Sequence, residues 1–114
     1  MKSQNSIILT GRLTADAKEL ANNAGVSFSI AHNMGKNNDP LYVDFTFFTK
    51  NGNRTVNIPT DLLKKGQAVT VSAWMKPDNY VNADGKKIRH TQYIVKKVEA
   101  IDPETADEQD ENEE

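Results

Sequence analysis

The sequence contains no cysteine among its 114 residues. Without thiols, the chain can form neither a disulfide framework nor a thiolate metal site. The lack of cysteine suits a reducing compartment such as the cytoplasm. Long hydrophobic runs are missing as well. The apolar stretch at residues 7–9 is too short for a signal peptide, and no segment approaches the roughly 20 apolar residues of a membrane-spanning helix. We therefore expect a soluble intracellular protein with no membrane partner.

Candidates for catalytic chemistry are few. The chain has two histidines, His32 and His90, and no carboxylate pair stands out in the part expected to fold. No glycine-rich phosphate loop and no metal-spaced cluster is present. His32 continues the alternation of a predicted strand and is interpreted as structural, whereas His90, next to Arg89, is interpreted as a surface residue. We predict a protein that is not an enzyme, with no catalytic residue, no metal site and no cofactor.

Charge is distributed unevenly along the chain. The net charge is −2, but residues 102–114 hold eight of the 16 acidic side chains and no lysine or arginine. The first 101 residues therefore carry all 14 basic side chains against eight acidic ones, a net charge of +6. A basic body suggests a polyanionic partner, although a basic solvated surface is an equally good interpretation. Residues 102–114 have too little apolar surface to fold. We predict one domain at residues 1–101 and a disordered acidic tail at residues 102–114.

Apolar and polar residues alternate with a period of two, which predicts β-strands that bury one face. Residues 7–12 form the first predicted strand and residues 93–101 the last. Three further strands lie between them. Their inward-facing residues are predicted to be Val26, Phe28 and Ile30 in the second strand, Val43, Phe45 and Phe47 in the third, and Val69, Val71, Ala73 and Met75 in the fourth.

One short helix is predicted at residues 60–66, between the third and fourth strands. Thr60 can cap its start, lysines lie in its last turn, and Gly66 can adopt the left-handed conformation that ends a helix. Three strands, a short helix and two strands is the order of the oligonucleotide-binding (OB) fold, a five-stranded Greek-key barrel. The chain is therefore predicted to be all-β and OB-like, although other small β-barrels fit the same pattern.

The third and fourth strands place large aromatic residues on the solvent side. If their apolar residues face the core, Tyr42, Phe48 and Trp74 must face outwards. Single-stranded nucleic acid can cover such rings, because stacking a base on an aromatic ring contributes about 1–3 kcal/mol. Two other roles stay open: Phe48 could fold beneath the helix, and Trp74 could lie in a subunit interface. The cations on the same strands and loops, which could contact phosphates, are Lys50, Arg54, Lys76, Lys86, Lys87 and Arg89.

Three stretches carry a family resemblance. Residues 8–14 (Ile-Leu-Thr-Gly-Arg-Leu-Thr) are followed by Asp16 and Leu20, residues 26–31 read Val-Ser-Phe-Ser-Ile-Ala, and residues 62–69 (Leu-Leu-Lys-Lys-Gly-Gln-Ala-Val) are followed by Val71. In this order and spacing they resemble the first strand, the second strand, and the helix end with the fourth strand of bacterial and phage single-stranded DNA-binding proteins. The likeness covers most of residues 6–100.

This resemblance implies an OB barrel that binds single-stranded DNA with little sequence preference, in replication, recombination or repair. It also implies a homo-oligomer, either a dimer or a tetramer, in a bacterial cytoplasm or nucleoid or in a phage-infected cell. Tyr42, Phe48 and Tyr80 match the family's stacking positions, and Arg12 in the first matching stretch is added as a nucleic-acid contact. A further family aromatic has no counterpart at residues 33–37. Trp74 is nominated from its predicted outward position alone.

The acidic tail departs from the family pattern. Family tails usually end in a short apolar tip that docks partner proteins, whereas this sequence ends Asp-Glu-Asn-Glu-Glu. Replication or recombination proteins are implied as tail partners, but the usual docking tip is missing. We also expect the tail to compete weakly with phosphate for the basic body, unless it serves only to keep the protein soluble.

Two alternative functions follow from the same residues. The barrel could be a protein-interaction subunit of a primosome or recombination assembly, in which the exposed aromatics would meet protein. It could also bind single-stranded RNA, although the compact aromatic strand motifs of cold-shock-like domains are missing. The residues do not separate DNA from RNA, because stacking and phosphate contacts serve both.

Overall fold

The computed structural model describes residues 3–107, and within that range the chain is built almost entirely of β-strands. Five strands of seven to ten residues form the main body, and five two-residue strands extend it or form hairpins. In chain order the strands are β1 (Ile7–Leu13), β2 (Lys18–Glu19), β3 (Gly25–His32), β4 (Leu41–Phe48), β5 (Lys50–Asn51), β6 (Arg54–Thr55), β7 (Ala68–Pro77), β8 (Tyr80–Val81), β9 (Lys87–Ile88) and β10 (Thr91–Ala100).

The main sheet closes into a barrel. Its strand order is β1-β7-β10-β4-β3-β2, and β1 pairs again with β3 through Arg12↔Ala31 and Leu13↔Ile30. The pairing of β10 with β4 is parallel, and the other pairings of the sheet are antiparallel. The five long strands β1, β3, β4, β7 and β10 therefore form a closed barrel of the OB type. The predicted all-β class and the five-stranded barrel are confirmed.

The barrel core consists of the residues that alternation pointed inwards. Ile30, Val69 and Val71 are fully buried, and Phe45 is 1% exposed. The Phe45 ring packs between Phe28, at a centroid distance of 5.7 Å, and Tyr93. Complete burial of each such side chain contributes about 1.5–3 kcal/mol to folding. Met75 differs from the prediction, being 37% exposed, because β7 continues past the core to pair with the start of β10.

Gly11 lies where β1 crosses β3 to close the barrel. A Cβ atom built on Gly11 would overlap the Ala31 carbonyl group and the Ile30 side chain. The nearby His32 ring adds a second tie between the two strands, because its Nδ1 lies 2.7 Å from the Thr10 carbonyl oxygen. This contact fits the structural role predicted for His32. The absence of a side chain at residue 11 lets β1 approach β3 closely enough to pair.

The helix between β6 and β7 is shorter than predicted. A single 3-10 turn at Thr60–Leu62 replaces the helix at residues 60–66, and Thr60 does not cap it. The following amides bond to β1 and its exit loop instead: Lys65 N donates to Asp16 Oδ1 and Gly66 N donates to the Leu13 carbonyl. Gly66 has the predicted positive φ, at 85°. The turn lays Leu63 against the barrel end, where it is 2% exposed.

The first residues of the predicted tail are folded. Asp102 caps a turn of α-helix, α1 (Pro103–Ala106), by accepting a hydrogen bond from Glu104 N at 3.1 Å. Ala106 is 4% exposed and packs near β1 and β7. The prediction of a disordered tail from residue 102 therefore does not hold for residues 102–107, and residues 108–114 lie outside the described residues. Between residues 3 and 107, no helix is long and apolar enough to cross a membrane.

We expect Gly11→Ala to destabilise the fold by about 1–3 kcal/mol, which is typical of overpacking. The added methyl group would force β1 away from the Ala31 carbonyl. Thermal unfolding monitored by circular dichroism measures this effect, with Thr10→Ala on the solvent face of the same strand as the control. Equal melting temperatures for Gly11→Ala and wild type would contradict the close approach.

Candidate nucleic-acid interface

The outward side chains of β4 define the centre of the candidate site. Phe45 and Phe47 are buried, so the pleat turns Tyr42, Asp44, Thr46 and Phe48 to the solvent side. From Tyr42 to Phe48 this row extends about 20 Å at the rise of a β-strand. β3 borders it on one side and β10, followed by β7, on the other. We call this surface, from β3 across β4 and β10 to β7, the outer β4 face.

At the Phe48 end of the outer β4 face lies a groove of about 330 Å³. Trp74 on β7 pairs with Ile94 on β10. Ile94 is 7% exposed and lines the bottom of the groove. Phe48 and Trp74 are both half-buried. We call it the lysine groove, because Lys50, Lys76 and Lys96 line it. Two flat rings beside three ammonium groups can accept bases and phosphates respectively.

At the Tyr42 end lies a second cavity, of about 370 Å³, which we call the tyrosine pocket. The Tyr42 ring is 63% exposed, and Tyr93 and Gln92 of β10 form the opposite side. The Gln92 amide donates to the Thr46 hydroxyl at 3.4 Å and so ties β10 to β4. The acidic residues Asp44 and Asp78 line this pocket, and no lysine or arginine does among the residues that the structure describes.

The β8–β9 hairpin carries a third aromatic residue and several cations. Tyr80 is 54% exposed and pairs with Ile88 across the hairpin. The Asn82 side chain accepts hydrogen bonds from the backbone of residues 84 and 86 and shapes the turn. At the base, His90 N donates to Asn79 Oδ1 at 3.1 Å, and the His90 ring lies 3.6 Å from the Asp78 carboxylate. The hairpin cations Lys86, Lys87 and Arg89 are all exposed.

Arg12 is set apart from the other candidate residues. Its Nε and Nη2 each donate to the Asp107 carboxylate at 2.8 Å, and its Nη1 donates to the Gly66 carbonyl at 3.0 Å. Asn33 fixes the same turn by donating to the Asp107 carbonyl at 2.5 Å. The nucleic-acid contact of Arg12 stays a prediction, and a phosphate at Arg12 would have to replace the Asp107 carboxylate.

The ion pair has a defined dependence on pH. Hydrogen bonding and charge attraction from Arg12 lower the pKa of Asp107, and the same contacts raise the pKa of Arg12. A carboxyl group whose pKa falls on folding stabilises the folded state above its unfolded pKa. The contact therefore holds at neutral pH and is lost as pH falls through the lowered pKa of Asp107.

The structure brings most of the predicted residues together, but not into one cluster. Phe48, Lys50, Trp74 and Lys76 share the lysine groove. Arg54 lies opposite residue 51 on the short β5–β6 hairpin, close in sequence to Lys50. The partial burial of Phe48 and Trp74 leaves ring surface in the groove. Tyr42 occupies the tyrosine pocket, and the β8–β9 hairpin holds the predicted residues Tyr80, Lys86, Lys87 and Arg89.

Sequence reasoning missed three residues of the face: Asp44, Gln92 and Lys96. Lys96 enters the lysine groove because the register of β10 against β7 shifts between Val95 and Lys97, as in a β-bulge. No local signal in the sequence marks that bulge. The alternation of β4 predicts that Asp44 faces outwards. Its position between two cavities depends on the neighbouring strands and could not be predicted from β4 alone.

No metal-binding group was found in the region that the structure describes. Among residues 3–107, no three or more histidine, cysteine, aspartate or glutamate side chains are placed to hold an ion. No buried side-chain nitrogen or oxygen in that range lacks a hydrogen-bond partner. The described surface offers aromatic rings, cations and carboxylates to a ligand.

Comparison with known proteins identifies related sequences and folds. The model of the single-strand binding protein family matches residues 4–101. No curated protein matches the chain at a significant level. Two crystal structures of the mitochondrial single-stranded DNA binding protein Rim1 from S. cerevisiae are similar in fold, with TM-scores of 0.66 and 0.64. Each is 19% identical in sequence, and each alignment covers 88% of this chain and 97% of the Rim1 chain.

Proposed function

The chain belongs to the single-strand binding protein family, and on this premise we propose that it binds single-stranded DNA along the outer β4 face without catalysing a reaction. The observation that carries the proposal is the arrangement of half-buried and exposed rings beside lysines on one side of the barrel. An aromatic ring accepts any base, and a lysine accepts any phosphate, so such a surface binds with little sequence preference.

Each part of the face has a distinct task in this mechanism. Phe48 and Trp74 stack bases in the lysine groove, while Lys50, Lys76 and Lys96 hold the phosphates beside them. Tyr42 stacks a base about 20 Å away along β4. Tyr80 and the cations of the β8–β9 hairpin extend the path beyond the barrel. Bound protein would cover the bases and protect the strand in replication, recombination or repair.

The assembly and setting that we propose follow from the family and from the charge pattern. A homo-oligomer, dimer or tetramer, fits the family, and Ile8 on the solvent face of β1 is 70% exposed and available to a second copy. We place the protein in a bacterial cytoplasm or nucleoid, or in a phage-infected cell. Replication or recombination proteins are the proposed partners of the acidic tail.

Titration with oligo-dT tests the proposal most simply. Binding should need no metal or nucleotide, and it should weaken with salt with a log–log slope near −0.7 per phosphate neutralised. Fluorescence anisotropy at several salt concentrations measures this slope, with duplex DNA and oligo-U as competitors. A slope near zero would contradict the lysine contacts. Stronger binding to the duplex would contradict the proposed face, and stronger binding to oligo-U would favour RNA as the partner.

Loss of a stacking ring should weaken binding without unfolding the barrel. We expect Tyr42→Ala and Trp74→Ala each to cost about 1–3 kcal/mol of binding free energy. Tyr42→Phe is the matched control, since it keeps the ring and should bind nearly as wild type. Trp74 fluorescence should be quenched by oligo-dT. If Trp74→Ala instead dissociates the oligomer and leaves DNA affinity unchanged, Trp74 belongs to a subunit interface.

The Arg12–Asp107 ion pair holds residue 107 against the barrel, and the rest of the acidic tail, residues 108–114, follows directly after it. Arg12 pairs with Ala31, and Ala31 pairs with Tyr42, so the backbone of Arg12 lies two strand spacings, about 10 Å, from that of Tyr42. The Arg12 side chain holds Asp107 next to this end of the face. Acidic residues tethered next to the outer β4 face have a high effective concentration at that face, so they can compete with DNA phosphates for its cations. We propose that residues 108–114 compete with DNA in this way.

Removing residues 108–114 should therefore raise affinity for oligo-dT at low salt, and the gain should shrink at high salt because salt screens the competition. This cut leaves α1 and Asp107 in place. A chain of full length in which the acids of residues 108–114 become amides is the control, and it should behave like the truncation. Equal affinity of all three proteins at low salt would show that the tail does not compete.

A further inference from the structure

We propose that Asp44 makes the outer β4 face prefer bases with an exocyclic amino group, such as cytosine and adenine, over thymine and uracil. This inference rests on the proposed binding of single strands and adds a base preference to it. Asp44 lies at the middle of the outward row of β4, two residues from the exposed Tyr42 ring and two from Thr46. It lines both the tyrosine pocket and the cavity on the β3 side.

The Asp44 carboxylate is held in place but not neutralised. Ser29, its partner across the β3–β4 pair, donates its hydroxyl hydrogen bond to Asp44 Oδ1. Within residues 3–107, Asp44 forms no ion pair with a lysine, arginine or histidine. Its side chain is exposed, so Oδ2 remains available as a hydrogen-bond acceptor. Lys18 lines the β3-side cavity with Asp44, and His90 lines the tyrosine pocket with it, but neither is ion-paired with Asp44 within residues 3–107. A fixed negative charge therefore stands in the middle of a surface proposed to bind a polyanion.

That charge determines which part of the nucleotide can approach it. A phosphate near Asp44 would be repelled, whereas the three lysines of the lysine groove attract phosphates at the other end of β4. The tyrosine pocket has no lysine or arginine among its described lining residues. The DNA backbone is therefore expected to follow the lysines, and the base edges to face Asp44.

The distance along the strand suits a contact to a base edge. Asp44 follows Tyr42 by two residues on the same side of β4, which places their Cα atoms about 7 Å apart. A base stacked on the Tyr42 ring can therefore bring one edge within reach of the carboxylate. The Gln92 amide donates to Thr46 and is uncharged, so it leaves the negative charge of Asp44 in place. The carboxylate is the strongest acceptor beside that edge.

An ionised carboxylate accepts hydrogen bonds and cannot donate them. Cytosine N4 and adenine N6 are amino groups that donate, and aspartate is a known acceptor for cytosine N4. Thymine and uracil have a carbonyl oxygen at the corresponding position, and their N3–H lies between two carbonyl oxygens. Lone pairs of those oxygens would face the negative charge of Asp44. The same geometry therefore attracts amino bases and disfavours thymine and uracil.

Oligo-dC and oligo-dU of equal length test this inference, because the exocyclic group at C4 is amino in one base and carbonyl in the other. Anisotropy at pH 8, where cytosine is neutral, gives the dC/dU affinity ratio. We expect wild type to favour oligo-dC and Asp44→Asn to reduce the ratio about fivefold, which corresponds to about 1 kcal/mol. The asparagine is isosteric and can both donate and accept.

Asp61→Asn is the matched control, since Asp61 is exposed, outside the outer β4 face, and carries the same charge. It should leave the dC/dU ratio unchanged. An Asp44→Asn protein that binds both oligomers more tightly but keeps the wild-type ratio would overturn the inference, because Asp44 would then act only through general charge. Failure of wild type to bind either oligomer would overturn the proposed function as well, so the two failures are distinguishable.

Discussion

The pleat of β4 is the constraint on which the rest of the structure depends. Burial of Phe45 and Phe47 in the barrel requires the alternate residues, from Tyr42 to Phe48, to face solvent. A shift of one residue in register would expose two phenylalanines and bury Asp44, which forms no ion pair within residues 3–107. The energy of core packing therefore also holds the aromatic rings in position. The proposed interface needs no separate scaffold, because one strand, β4, both packs in the core and carries the side chains proposed to bind DNA.

The charges divide the face into two chemically different halves. Lysines line the groove at the Phe48 end, while the carboxylates of Asp44 and Asp78 line the pocket at the Tyr42 end. In the proposed mechanism, phosphate contacts are therefore concentrated at the Phe48 end, whereas bases stack at both ends. The anchored Asp107 approaches the Tyr42 end, where no described lysine or arginine lines the tyrosine pocket. Competition by the tail and base preference at Asp44 would therefore act on the same half of the face.

The sequence predicted the parts of the structure that depend on local periodicity. Alternation identified the strands around Phe28, Phe45 and Val71, and the same alternation placed Tyr42 and Trp74 on the outside. Features that depend on contacts between distant segments could not be predicted in this way. Arg12 and Asp107 are 95 residues apart in the chain, and nothing near either residue indicates the pair. The bulge that brings Lys96 into the groove and the short turn at Thr60–Leu62 depend on hydrogen bonds to other strands.

The central claim is that single-stranded DNA binds across the outer β4 face. Amide chemical-shift mapping with oligo-dT tests it most directly, because every strand of the barrel reports separately. Binding across this face should concentrate the shifts at Tyr42–Phe48 of β4, at Trp74 and Lys76 of β7, and at Gln92 of β10. The row Thr10, Thr70 and Glu99 on the far side of the barrel should stay unperturbed. Shifts centred on that far row, with β4 unaffected, would contradict it.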